Sequence, residues 1–469
     1  MKSKIMSKKF KISVEMAKYL LSKLEIMKNG TNKVLLEIGL QNAGDGVTCM
    51  AYLVNDRQME KVGFTTLGIP KKYEDGEVYI KTAVKAADFC AYLSAYQAFN
   101  ADIEFSCDEK ELSLSVKDQA NISLPVVAES EVEPRFEDDS KAIVAVVECK
   151  TSKLKEAIKY GGFIASTTAD PSGLSDRVIF VLTPDKMEVH SAEQSAITSS
   201  SCEIKARFNN TAMAVYSLRE KGATLNQESK VALFNKMQEF KTNQEGMIAL
   251  AKTEAEFEPD KLSFALPTSS ALVLQRIVAG SENLKITVSN KYLNVNADHV
   301  LASFVLAGKH TALYKTSVPE WDATDWNGKV IVDKDMFLTS LGILQLGSNN
   351  KGKAISLSVE NGKLISKDRG SNITKTAILS SAGSLEGIEK HFNCTKLANI
   401  VSKMPGGNIC FSMNDNPNML LQIRNGDLAG ADMSVKAYLA PVNTAQPIEE
   451  DTDEDEENTT DDISEETDE

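Results

Sequence analysis

The chain has 469 residues, 42% of them apolar and 25% charged, a globular balance that supports a sizeable core and about three domains of roughly 150 residues. Its formal charge of −14 comes from one end: residues 449–469 hold 14 Asp or Glu and no Lys or Arg, and setting these aside leaves 52 acids against 52 bases. No stretch approaches the ~20 apolar residues of a membrane span, and the basic start MKSKIMSKKFKIS lacks the apolar segment of a secretory signal.

A pattern of one short strand, a helix of three to four turns and two or three alternating strands recurs six times. The first copy begins at Phe10, and its helix over 16–28 sets Leu20, Leu21, Leu24 and Met27 on one stripe. The second begins at Val78 with a helix over 83–98, and its strands 103–106 and 112–116 are apolar at every second residue. A polar, Pro-containing linker, 128–141, precedes the third copy, which begins at Ile143 with a helix over 152–166. Extra sequence near 205–258, with a helical stretch at 227–241, then breaks the rhythm and reads as an insertion in a surface connection.

The fourth copy begins at Leu262, with a helix over 267–279 and a hairpin-like run from Leu284. After the linker 317–328, the fifth begins at Val330, with Asp333 as N-cap of a helix over 334–346 and a strand over 355–359. The sixth begins at Lys390; Leu397, Ile400 and Val401 face inward on its helix over 394–404, and Met404-Pro405-Gly406-Gly407 stops it. The expected class is α+β, in three domains of two repeats each: 1–140, 141–318 and 319–445. The segment 446–469 is an acidic tail too poor in apolar residues to fold.

Local signals for catalysis are sparse. His190, His299, His310 and His391 have neither HExxH nor HxH spacing, and Cys49, Cys90, Cys107, Cys149, Cys202, Cys394 and Cys410 form no CxxC pair. These cysteines read as reduced, mostly buried thiols of a cytoplasmic protein. There is no phosphate-binding GxxxxGK[ST] loop and no GxSxG elbow; Gly44-Asp45-Gly46 and Gly161-Gly162 read as turn or packing glycines. No catalytic residue, metal ligand or cofactor is expected, so the chain reads as a non-enzyme.

The repeated helices carry a different signal. Their spans hold eleven bases, Lys18, Lys23, Lys28, Lys85, Lys153, Lys155, Lys159, Arg276, Lys334, Lys396 and Lys403, against four acids, Glu25, Asp88, Glu156 and Asp335. The helices therefore carry +7 within a neutral body. If all six lie on one face, that face suits sequence-independent contact with phosphates.

The register of the six units resembles the DNA sliding clamp family, the bacterial DNA polymerase III beta subunit. Three segments carry the likeness: KTSKLKEAIKYGGFIASTTADPSGLSDRVIFVL from Lys150, ENGKLISKDRGSNITKTAIL from Glu360, and HFNCTKLANIVSKMPGGNICFSMNDNPNMLLQI from His391, followed by VKAYLAPV from Val435. The resemblance implies a head-to-tail homodimeric ring with helices on the inner face and sheets outside. Such a ring encircles double-stranded DNA without reading its sequence, serves a replicative polymerase and a clamp loader through short peptide motifs, and needs no membrane. It implies DNA contacts from the helix bases listed above, apart from Lys28. It implies a partner-peptide cleft of Leu174, Ser191, Ile197, Pro319, Met419, Leu439, Pro441 and Val442, and a dimer interface using Ile343, Leu344 and Leu346.

Two departures stand out. Where the family has Asp-Gly-His-Arg-Leu, this chain reads Ala192-Glu193-Gln194-Ser195-Ala196, and it continues past the last strand into the acidic tail. A divergent clamp carried by a phage or mobile element fits these departures. So does a clamp-like scaffold or decoy that binds clamp-interacting peptides without encircling DNA. The tail reads either as a solubilising extension or as a DNA mimic competing for the positive face.

Overall fold

The computed structural model describes residues 8–442 except 16, 19–20, 23–32, 42–45, 56–59, 68–78, 128–142, 169, 171–174, 256, 279–281, 298–299, 308–317, 319, 347–353, 369–371, 386, 417 and 427–434. The linker 128–141, the tail, His299 and His310, and the far end of the first helix with Lys23 and Lys28 lie outside the described residues.

The first unit comprises β1 (Lys8–Ile12), α1 (helical at the described residues of 14–22), β2 (Lys33–Gln41), β3 (Gly46–Asn55) and β4 (Glu60–Leu67). The second has β5 (Tyr79–Lys85), α2 (Ala86–Tyr96), β6 (Ile103–Cys107), β7 (Glu111–Val116) and β8 (Ala120–Pro125). The third has β9 (Ile143–Lys150), α3 (Thr151–Gly161), β10 (Arg177–Leu182), β11 (Lys186–Glu193) and β12 (Ala196–Glu203), continued by β13 (Lys205–Phe208). After it come α4 (Asn210–Ala223), α5 (Gln227–Glu239) and α6 (Gln244–Glu254).

The fourth unit has β14 (Leu262–Pro267), α7 (Thr268–Ile277), β15 (Asn283–Ser289), β16 (Tyr292–Ala297) and β17 (Val300–Val305). The fifth has β18 (Gly328–Asp333), α8 (Lys334–Leu346), β19 (Ala354–Glu360), β20 (Lys363–Asp368) and β21 (Ile373–Gly383). The sixth has β22 (Glu389–Asn393), α9 (Cys394–Lys403), β23 (Asn408–Met413), β24 (Leu421–Asn425) and β25 (Val435–Leu439).

The units are exchanged in pairs. Every leading strand pairs with the first post-helix strand of its neighbouring unit: β1 with β6, β5 with β2, β9 with β15, β14 with β10, β18 with β23 and β22 with β19. On its other edge β18 also pairs with β21 of its own unit, and β9 with β13. Each pair of units thus makes two four-stranded antiparallel half-sheets with the helices packed between them, as α3 does on both β11 and α7. In each half-sheet the third post-helix strand, namely β4, β8, β12, β17, β21 or β25, lies at the end away from the leading strand.

Local sequence explains the helices. Asp333 accepts from the Met336 N–H at 2.8 Å, the expected N-cap, a contact type worth about 1 kcal/mol. On α9, Leu397, Ile400 and Val401 are all buried, as their spacing requires. The helix expected over 83–98 starts at Ala86 because Lys85 still belongs to β5. That expected over 152–166 ends at Gly161, where the helix runs into β11: a Cβ on Gly161 would overlap the Val189 carbonyl. The carbonyl of Gly161 also accepts from the hydroxyls of Ser191 and Thr198, at 2.7 and 2.8 Å.

The insertion holds three helices, not one. Each is capped by an asparagine side chain accepting an N–H three residues on: Asn209 from Ala212, Asn226 from Ser229 and Asn243 from Gly246. Met213, Leu218, Leu233, Met247 and Leu250 join the same buried cluster as Phe180 and Phe264, so the insertion extends the core. The contact at Gly161 gives a direct test. Gly161→Ala is expected to destabilise the protein by about 1–3 kcal/mol, as overpacking does, and thermal unfolding beside Gly162→Ala and the unsubstituted protein measures it.

Candidate nucleic-acid interface and interdomain cleft

The helix bases divide into two groups. Lys18 on α1, Lys153 and Lys159 on α3, Arg276 on α7 and Lys403 on α9 are exposed, as is Lys85 at the end of β5. Lys155 is half-buried on α3. Lys153 lies 3.9 Å from Glu156, an exposed i,i+3 pair that contributes little and leaves the ammonium accessible.

Lys334 and Lys396 are engaged within the fold. The Lys334 ammonium donates to the Met404 carbonyl at 2.7 Å, capping the C-terminal end of α9, where the helix dipole favours a cation. The Lys396 ammonium donates to Ser195 Oγ at 2.9 Å and lies 3.4 Å from Glu193 Oε1, so it reaches from α9 to the β11–β12 turn. The charge pattern does not separate these two groups, because the partners of Lys334 and Lys396 are remote in sequence.

The half-sheets of the third and sixth units join edge to edge, β12 against β25, from Ala196↔Leu439 to Ser200↔Val435. On the sheet face away from the helices, Ile179, Val181, Ala192, Ile197, Ala265, Val318 and Tyr438 form a buried apolar cluster. Trp321, Trp326 and Leu420 pack on it half-buried, and the Trp321 ring lies 5.2 Å from that of Tyr438. These are the two tryptophans of the chain.

The cleft residues expected from sequence fall on different sides of this sheet. Ile197 belongs to the apolar cluster, whereas half-buried Met419, Pro441 and Val442 lie in the segments that follow β23 and β25, the Val442 N–H donating to the His391 carbonyl at 2.8 Å. Ser191 and Leu439 face the helices: Ser191 bonds to Gly161, and Leu439 lies in the core around α9. Leu174 and Pro319 lie outside the described residues. Sequence reasoning passed over Tyr438, Trp321 and Ile179. The signal for Ile179 was the unbroken apolar run VIFVL on β10, which marks a strand covered on both faces.

Polar anchors hold the segments around this cluster. Asp322 accepts from the Tyr438 hydroxyl and pairs with Lys436. Burial and the Asp322 carboxylate together push the Tyr438 hydroxyl well above the usual phenol range. Asn414 Nδ2 donates to the Asp325 carbonyl at 3.0 Å, and the Asp415 N–H to Asn327 Oδ1 at 3.1 Å. Lys390 is 3% exposed and donates to the carbonyls of Asn416 and Met419, both at 2.7 Å. Elsewhere on the sheet, buried His190 lies 3.5 Å from Glu188, whose carboxyl His190 and Lys186 hold well below the usual range. This arrangement ties two residues of β11 together.

The dimer residues also separate. Leu344 is 2% exposed and belongs to the core, whereas Ile343 and Leu346 are 56% and 89% exposed. Met336, Ile343 and Leu346 lie along one side of α8, and Ile373 and Leu379 on β21 are also exposed.

The same fold recurs in solved structures. A putative DNA polymerase III beta subunit from Eubacterium rectale superposes with a TM-score of 0.64 at 16% identity, over 93% of this chain and 100% of its own. The beta subunit from Thermotoga maritima gives 0.65 at 12%, over 93% and 99%. The Helicobacter pylori beta clamp bound to a DNA ligase peptide gives 0.63 at 10%, over 93% and 100%. This chain has the sliding-clamp fold. No protein-family model matches it, and no curated protein matches its sequence. The clamp fold is thus carried here by packing and pairing with little residue identity.

Lys390 gives a pH test of the junction in this clamp fold. Burial pulls its ammonium down to about 8 from 10.5, against the opposing pull of Asp415. Between these values the unfolded chain holds a proton that the folded chain has released, so this group's contribution to stability rises from pH 8 to 10.5. It is lost again as the pH falls through about 8. Melting temperatures of the protein and of Lys390→Met at pH 7.5 and 10 are expected to show their difference moving in favour of the unsubstituted protein at the higher pH.

Proposed function

We propose that this protein is a DNA sliding clamp: a head-to-tail homodimer of three-domain chains that encircles duplex DNA and tethers a replicative polymerase, performing no chemistry itself. The observation that carries this reading is the treatment of third-strand edges. Within the chain, β12 joins β25 and β17 joins β4, in each case third strand to third strand and antiparallel. That leaves the half-sheets of β8 and β21. β8 ends its four-stranded sheet, and residues 373–377 of β21 pair with β20 on one edge, while residues 378–383 pair with β18 of the same chain and leave only the first half of the strand to take a partner. An unpaired edge is a template for another strand. The same joint, made between β8 of one copy and β21 of the next, continues the pattern and closes two copies into a ring.

Exposed apolar side chains support the same joint. Ile343 and Leu346 on α8, with Ile373 on β21, lie beside one open half-sheet; Tyr92 on α2 and Phe99 just after it lie beside the other. Large exposed apolar groups gathered at two open edges mark association surfaces. Leu344, being interior, supports α8 from within.

In the ring, Lys18, Lys85, Lys153, Lys155, Lys159, Arg276 and Lys403 supply phosphate contacts, with Lys23 as a further candidate. Such contacts follow no sequence and allow sliding. The cleft around Ile197, Met419, Pro441, Val442, Tyr438 and Trp321 receives peptide motifs of the polymerase and loader, as a Helicobacter pylori clamp receives a ligase peptide. The proposed setting is the cytoplasm, with domain boundaries near 140 and 318.

The proposal predicts a dimeric mass by light scattering, and a monomeric mass for Ile343→Asp/Leu346→Asp without loss of fold. It also predicts retention on closed circular DNA after loading, with loss once the circle is cut. A monomeric wild type that still binds clamp-interacting peptides would favour the scaffold reading instead. In short-duplex binding, Lys153→Met is expected to reduce the log–log salt slope by about 0.9, one phosphate contact.

A further inference from the structure

Resting on the clamp reading, we propose that Lys396 is shared between the DNA face and the partner cleft, so that duplex DNA in contact with α9 releases the β11–β12 turn and reshapes the cleft. Lys396 and Lys403 are two helical turns apart and project from the same side of α9. Lys403 is exposed, whereas the Lys396 ammonium is held by Ser195 Oγ at 2.9 Å and by Glu193 at 3.4 Å. Both side chains of the ion pair are about one-third exposed, at 36% and 32%. A pair this open to solvent is screened and weak, so a phosphate reaching the same ammonium competes on nearly equal terms.

The turn is coupled to the cleft by short covalent and packing steps. Glu193 and Ser195 are flanked by Ala192 and Ala196, and Ala192 pairs across the hairpin with Ile197. Ile197 pairs in turn with Tyr438, on which Trp321 packs. The Ser195 carbonyl accepts from the Ala440 N–H at 2.8 Å, just ahead of Pro441 and Val442. Withdrawal of Lys396 removes the turn's side-chain tie to α9 and leaves its backbone pairing with the strands beside it. The two states differ by one shared cation, which is a differential contact of the kind that couples two ligands.

The turn sequence makes the device possible. Glu193 supplies the acid that competes with phosphate and Ser195 the second acceptor; both lie in the segment that departs from the family's pattern. Sequence-independent DNA contact therefore has one conditional ligand beside its permanent ones.

The test uses the full chain and a short linear duplex, which needs no loader. Glu193→Gln is expected to free Lys396 and raise duplex affinity a few-fold, the worth of an exposed ion pair, with the log–log salt slope unchanged because Lys396 reaches phosphate in both complexes. Adding Lys396→Met to Glu193→Gln should lower the slope by about 0.9, one lost contact, and remove the gain in affinity. Emission from Trp321 and Trp326 should shift on adding duplex to the wild type and stay unmoved in Glu193→Gln, whose turn is already released. An unchanged affinity in Glu193→Gln overturns the inference, as does a gain that survives Lys396→Met, since that marks a general charge effect. If the wild type binds no duplex, the clamp reading itself fails; if it binds and only the Glu193 and Lys396 responses are absent, the sharing of Lys396 fails alone.

Discussion

The structure depends on the exchange of leading strands between paired units. The helix that follows β9 starts from the sheet of β15 and β16, where β9 is held, and packs on the strands of its own unit in the other half-sheet. It must cross from one half-sheet to the other and bury side chains against both. That explains why α3 touches β11, β12 and α7, and why it ends at a glycine where the backbone of β11 is closest. Exchange also means that neither unit of a pair can complete its sheet alone, so the pair is the smallest part with a closed core. The half-sheets then grow at their third strands, and also at two leading strands, where β9 takes β13 and β18 takes β21. Antiparallel edges left open in water invite pairing, and the fold meets two of these within the chain by setting β17 on β4 and β12 on β25.

Much of this was legible in the sequence, and the rest was hidden for definable reasons. Apolar spacing located α9 and its buried face, and the Asp333 cap marked the start of α8. The bounds of α5 came out within two residues, Gln227–Glu239 against 227–241. Helices α4 and α6 were passed over although Asn209 and Asn243 precede them as Asn226 precedes α5; their apolar residues are diluted by Ala, Ser and Thr, which blurs a stripe. Strand exchange left no local mark, because pairing partners are set by topology and not by composition. Sheet face was hidden for a similar reason. Ser191 and Ile197 look alike as candidates, yet the hairpin turn between them puts one toward α3 and the other toward Trp321.

The junction of β12 and β25 shows two kinds of force dividing the work. Ile197, Tyr438, Trp321 and Leu420 supply non-directional burial, which favours closure without fixing an angle. Direction comes from polar contacts with few alternatives. Asp322 ties the chain before β18 to Tyr438 and Lys436, and Lys390 holds two carbonyls of the loop after β23. A buried ammonium is costly unless its donors are used, so Lys390 fixes the loop that carries Met419 more tightly than apolar contact would. A residue chosen only for fit to an apolar peptide would not need such an anchor.

The helix charge is best understood after these anchors are subtracted. Counting bases treated every lysine on a helix as available to phosphate, but an ammonium that caps α9 or bridges to the β11–β12 turn already has acceptors in place. What distinguishes Lys334 from Lys396 is the nature of those acceptors. The Met404 carbonyl is a half-buried backbone group whose lone pair needs a donor, so withdrawing Lys334 would cost the fold a helix cap. Ser195 and Glu193 are side chains at a solvent-facing turn that water can satisfy. One lysine is therefore structural and the other exchangeable, although a sequence count gives both the same weight.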